Sequence, residues 1–132
     1  MNRDEILEFL EENELSDIKE ISYEGEELII AFKYYFDGVE IEAANEYANE
    51  EYKGEIEDES WYYEYFLPYL SDFALDNVED ILDECAEEYD MNYEFIAYEL
   101  TEKRYDHNNF VVVFSKDEIN NIDDIILYLD EK

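Results

Sequence analysis

The sequence predicts a single α+β domain in which helices pack on one antiparallel sheet, and three observations carry that expectation. The chain has 132 residues, 47% of them apolar and 17% aromatic, enough for one domain with a substantial core. A run of strand-like segments precedes a run of helical ones, and two more strands and a last helix follow, in the order αβββ, one or two helices, ββα. No internal repeat and no linker-like stretch divides residues 1–132.

Residues 3–14 read as a short helix, with Asn2 or Asp4 as N-cap and Ile6, Leu7, Phe9 and Leu10 on one face. Ile18, Ile21 and Tyr23 begin an extended segment. Glu24 to Glu27 forms a turn around Gly25, and Leu28 to Phe36 is a strongly apolar strand. Asp37-Gly38 supplies the two residues of a tight hairpin turn. The alternation Val39-Glu40-Ile41-Glu42 then predicts a third strand of a meander.

Residues 45–60 read as a long acidic loop or loosely held edge strand, tacked down by Tyr47, Tyr52 and Ile56. It carries Glu46, Glu50, Glu51, Glu55, Glu57, Asp58 and Glu59 against a single Lys53. Ser60 is the expected cap of a helix through Trp61–Phe66, which Pro68 ends or kinks. A longer helix is expected from Ser71 or Asp72 to Tyr89, with Leu75, Val78, Ile81, Leu82, Cys85 and Tyr89 on its apolar face. Strands over Asn92–Thr101 and Phe110–Phe114 follow, joined by the polar link Glu102–Asn109. Ser115 and Glu118 form a capping box for a last helix that turns Ile119, Ile122, Ile126 and Leu129 inward.

Charge dominates the composition. Forty-one Asp and Glu against eight Lys and Arg leave a formal net charge of -33, where a small soluble domain carries roughly 2–8 in magnitude. Such self-repulsion destabilises a compact state, and solubility alone needs far fewer carboxylates. The acids are spread through the chain, 22 in residues 1–66 and 19 in residues 67–132, so the whole body is anionic. A cationic protein surface is the expected partner, since nucleic acid and anionic membranes would be repelled.

Few residues carry catalytic chemistry. His107 is the sole histidine and Cys85 the sole cysteine, so no zinc set of the usual spacing is present and no internal disulfide can form. A Cys85–His107 pair is conceivable, but Cys85 lies on the apolar face of its helix. Gly25, Gly38 and Gly54 are isolated and make no phosphate loop, and the EF-hand pattern is absent. Glycoside hydrolysis needs two carboxylates, but the sequence singles out no pair. No catalytic site, metal or cofactor is expected. The N-terminus lacks the basic and apolar regions of a signal peptide, and no apolar run nears the ~20 residues that span a bilayer. Together with the lone cysteine, this predicts a cytoplasmic protein. Tyr34-Tyr35 and the Tyr62, Tyr63, Tyr65 cluster read as core or half-buried side chains, with partner contact as the alternative.

The residues expected to meet a partner form two sets, the acids Glu50, Glu51, Glu55, Glu57, Asp58 and Glu59 of the 45–60 stretch and those of the long helix. Asp72, Asp76, Glu79, Asp80, Asp83, Glu84, Glu87 and Glu88 occupy its polar face, and no lysine interrupts it. Eighteen residues at 1.5 Å each make a strip of about 27 Å, although like charges four apart destabilise a helix. With its size, acidity and helices such as Asp76–Glu88, the chain resembles the DNA-mimic inhibitors, among them phage anti-restriction and anti-CRISPR proteins. The resemblance is compositional, and the class shares no common fold. It implies a non-enzymatic inhibitor that occupies the basic nucleic-acid-binding groove of a bacterial nuclease, such as a Cas effector or restriction enzyme, in a host cytoplasm. Two other readings stay open: an immunity protein that neutralises a basic nuclease toxin, and a carboxylate-dependent hydrolase.

Overall fold

Two apolar strands form the centre of the sheet. The computed structural model describes residues 3–21, 27–54 and 58–119. In it β1 spans Ser16–Ile21, β2 Leu28–Tyr35, β3 Asn92–Ala97 and β4 His107–Ser115, in the spatial order β1-β2-β4-β3. Every neighbouring pair is antiparallel. The expected α+β domain, an antiparallel sheet with helices on it, is observed.

Strand alternation sorts the side chains onto two faces. Leu28, Ile30 and Phe32 pair with Phe114, Val112 and Phe110 and belong to the main core. Phe32 stacks on Phe110, ring centroids 5.4 Å apart. Helix α1 (Arg3–Glu12) adds Ile6 and Leu10 to this side, and α3 (Leu67–Tyr89) adds Leu70, Ala74, Val78, Leu82 and Cys85. On the opposite face Ile29, Val111 and Val113 form a smaller buried cluster, with Ile21, Ala31, Ile96, Tyr98 and Ile119 packed against it.

The edge strand β1 is bulged. Its register shifts between Ser16 and Lys19, and Asp17 takes a left-handed φ of 50°, which bends the strand and blunts an otherwise open edge.

The expected third strand and the first part of the expected acidic loop, residues 45–51, are instead one helix, α2 (Gly38–Glu51). Asp37 is its N-cap: the carboxylate accepts from the Glu40 N–H at 2.8 Å, and the Glu40 carboxylate accepts from the Asp37 N–H at 2.8 Å. That reciprocal box satisfies two N-terminal donors. Gly38 has no positive φ, so no hairpin turn forms. The far edge of β2 is already paired with β4, which leaves no place there for a hairpin partner. Ala44 and Ala48, one turn apart and both fully buried, let α2 approach the core closely.

Pro68 neither ends nor caps its helix. A π-helical segment (Trp61–Phe66) leads directly into α3, and the Leu67 N–H reaches back five residues to the Tyr62 carbonyl. Pro68 has no N–H to give to the carbonyl four residues earlier, and its ring would crowd that carbonyl. Widening the preceding turn relieves both constraints. Helix α3 therefore begins before the expected Ser71 or Asp72. It ends at Asp90, which adopts the left-handed φ of 53° often seen at helix C-termini. Ser60 makes no side-chain cap. Asp58 does so instead, accepting from the Trp61 N–H at 2.8 Å and from the Tyr52 hydroxyl at 2.6 Å.

Strand β3 stops at Ala97, short of the expected Thr101, while β4 starts at His107. The polar link cedes His107, Asn108 and Asn109 to the sheet because they pair with Tyr35, Tyr34 and Lys33 of β2. The expected turn at 24–27 falls largely outside the described residues, as does the body of the last helix. Ser115 does accept from the Asp117 N–H at 3.1 Å.

Candidate functional site

Helix α3 carries the carboxylate face. A 3.6-residue repeat that buries Leu70, Ala74, Val78, Leu82 and Cys85 turns the remaining positions to solvent. All eight predicted acids, Asp72, Asp76, Glu79, Asp80, Asp83, Glu84, Glu87 and Glu88, are exposed. Asp72, Asp76, Asp80, Glu84 and Glu88 follow one another four apart. Glu79, Asp83 and Glu87 form a second such row, three residues on from Asp76, Asp80 and Glu84. Sixteen residue steps separate Asp72 from Glu88, about 24 Å of axis. Eight charges over that length fall at about one per 3 Å, close to the one per 3.4 Å of a single DNA strand.

Among the described residues none of the eight is in an ion pair; Arg3–Glu20 and Lys33–Asp17 are paired, and His107 Nδ1 lies 2.9 Å from Asp106. Asp83 accepts a hydrogen bond from the Tyr93 hydroxyl. Burial, reinforced by that carboxylate, pushes the Tyr93 phenol up from its ordinary value. The Tyr34 phenol is pushed up in the same way by burial and by Glu40, to which it donates at 2.9 Å.

The second predicted set divides. Glu50 and Glu51 lie exposed in the last turn of α2, and Glu59 is exposed just before the π-helical segment. Asp58 is half-buried and engaged as a cap. Its two hydrogen bonds hold its carboxyl below the usual range, that from Tyr52 contributing most. Glu55 and Glu57 lie outside the described residues.

Sequence reasoning named Glu50 but missed the helical row to which it belongs. Glu42, Glu46 and Glu50 recur four apart along α2 and are exposed. The capping box Asp37-x-x-Glu40 was the signal that would have revealed the helix carrying them. Tyr47 meets Tyr69 and Tyr52 meets Tyr65, with centroids 5.2 and 5.4 Å apart, so α2 runs antiparallel to the start of α3.

The residues considered for catalysis are not brought together. Cys85 is buried in the helix-side core, and burial, with Glu88 adding to it, pushes its thiol up to about 12. His107 belongs to the opposite face of the sheet, where it pairs with Tyr35 and its ring lies 5.1 Å from that of Tyr35. A Cys85–His107 nucleophile pair is therefore ruled out. Among the described residues no group of three His, Cys, Asp or Glu is placed to hold a metal ion. A groove of about 780 Å³ lies over Lys19, Ala31, Lys33, Asn109 and Val111, and Asp17 stands 3.5 Å from the Lys33 ammonium there.

No protein-family model matches the chain, and neither does any curated protein or solved structure. Among the described residues no helix is long and apolar enough to cross a membrane.

Proposed function

We propose that this protein is a non-enzymatic inhibitor that presents a DNA-like array of carboxylates to the basic nucleic-acid-binding groove of a bacterial nuclease, such as a Cas effector or a restriction enzyme. The observation that carries the proposal is the α3 face: eight exposed carboxylates, outside every ion pair among the described residues, at about the linear charge density of one DNA strand. A surface that was merely solvated would mix in lysines to relieve repulsion along the rows. Residues 67–89 contain none. A groove evolved for phosphates meets such a face with its own arginines and lysines, which gives steered, salt-sensitive association.

An immunity protein for a nuclease toxin would use the same attraction but concentrate its acids opposite one partner. The additional row on α2 and the even division of acids along the chain favour the mimic. A low-salt pull-down from bacterial lysate tests the proposal. DNA- or guide-binding proteins should be retained, released by a salt step and displaced by duplex DNA. Retention of a basic protein that duplex DNA does not displace would refute mimicry and favour the immunity reading.

A further inference from the structure

Tyr47 of α2 and Tyr69 of α3 lie against one another with ring planes inclined by 32°, and both line a groove of about 350 Å³. Tyr65, Tyr69 and Phe73 recur four apart and line it too. Glu64, Asp72 and Asp76 border it, and among the described residues no Lys or Arg lines it. Tyr47 remains 41% exposed, so its ring is left over from core packing.

We infer that this groove receives the guanidinium of an arginine side chain on a basic protein partner, which deepens and rests on the function proposed above. Aromatic faces attract a cation within about 6 Å of the ring centroid. A guanidinium is planar, stacks on such faces and donates hydrogen bonds to carboxylates from its edge, so it matches a groove of tyrosine rings bordered by carboxylates. A lysine ammonium would meet the same charge without the stacking. An anion would be repelled by Glu64, Asp72 and Asp76, and a purely apolar group would bury those carboxylates without a partner. The groove thus adds a specific anchor to the diffuse attraction of the α3 rows, as hot spots do at interfaces.

The test titrates N-acetyl-arginine amide and N-acetyl-lysine amide into the full chain and follows backbone amide NMR shifts. The expected result is saturable shifts confined to Tyr47 and to residues 64–76, with arginine bound more tightly than lysine. Tyr47→Ala should weaken arginine about three- to tenfold while native Trp61 fluorescence is retained, and Asp72→Asn should weaken it as well. Arginine shifts spread evenly over all the acidic rows, or unchanged by Tyr47→Ala, overturn the groove. A decalysine peptide needs only the carboxylate rows and separates the two readings. If it binds wild type and Tyr47→Ala alike while arginine finds no localised site, the groove falls and the carboxylate face stands. If decalysine itself does not bind at low salt, the function proposed above falls.

Discussion

Neutralising one acid in the middle of α3 should make this protein more stable while weakening its hold on a cationic partner. Asp80 is exposed, and three carboxylates surround it at helical spacing: Asp76 four residues before, Asp83 three after and Glu84 four after. Each like-charge pair costs about 0.2–0.5 kcal/mol in a helix, so Asp80→Asn should stabilise the fold by about 0.6–1.5 kcal/mol at low ionic strength. Asp and Asn have similar helix propensities, and Asp80 is remote from both helix ends, so neither propensity nor dipole obscures the result. Urea is the denaturant of choice because guanidinium would itself screen the charges. The single Trp61 is 2% exposed and serves as the fluorescent reporter. Unfolding is compared at about 0.01 M and about 1 M ionic strength, where the Debye lengths are about 30 Å and about 3 Å. The gain should be present in the first and nearly vanish in the second, with an unchanged m-value. A loss of stability at low salt, or a gain that persists at high salt, would show that the rows do not repel one another as the geometry requires.

Other substitutions test the frame that holds the face. Asp37→Ala removes the box at the start of α2 and should cost about 0.5–2 kcal/mol, read as a lower urea midpoint. Asp37→Ser, which keeps an acceptor, should recover most of it. Leu82→Ala empties a fully buried core position and should cost about 2–5 kcal/mol, with a midpoint shift that salt does not remove. Cys85 predicts an alkaline limit. Its native thiol is raised from an ordinary 9.0 to about 12, so between those values the folded state keeps a proton that the unfolded chain releases. That contribution is complete below pH 9 and is lost as pH rises towards about 12. Stability measured across this window should decline less steeply in Cys85→Ala, and a thiol reagent at pH 8 should modify Cys85 rapidly only in urea.

Much of the fold and most of the candidate face were legible without coordinates, for a local reason. An apolar stripe at 3.6 spacing from Val78 to Cys85 leaves only one polar side to a helix. The eight acids between Asp72 and Glu88 therefore had to share it. The near-continuous apolar runs of Leu28–Phe32 and Phe110–Phe114 marked strands buried on both faces, and they became the two central strands. The net charge of -33 by itself settled that any such surface would be intensely anionic.

Other features depended on neighbours distant in sequence. Asp37-Gly38 is compatible with a hairpin turn or a helix cap, and four alternating residues after it were too few to decide. The choice fell to the helix because β4 takes the edge of β2, and Ala44 and Ala48 fit against the core. The π-helical turn before Pro68 was hidden too, because the usual effect of a proline is to end or kink a helix, and here packing of Trp61 and Phe66, ring centroids 4.8 Å apart, keeps the chain helical through it. The sequence by itself determined how much charge the protein carries and which side of α3 bears it, since composition and periodicity are local. Only the tertiary structure decided that α2 is a helix with its own acidic row and that Tyr47 meets Tyr69. Those outcomes depend on which surfaces pack together, and residues 22 positions apart carry no local signal of their meeting.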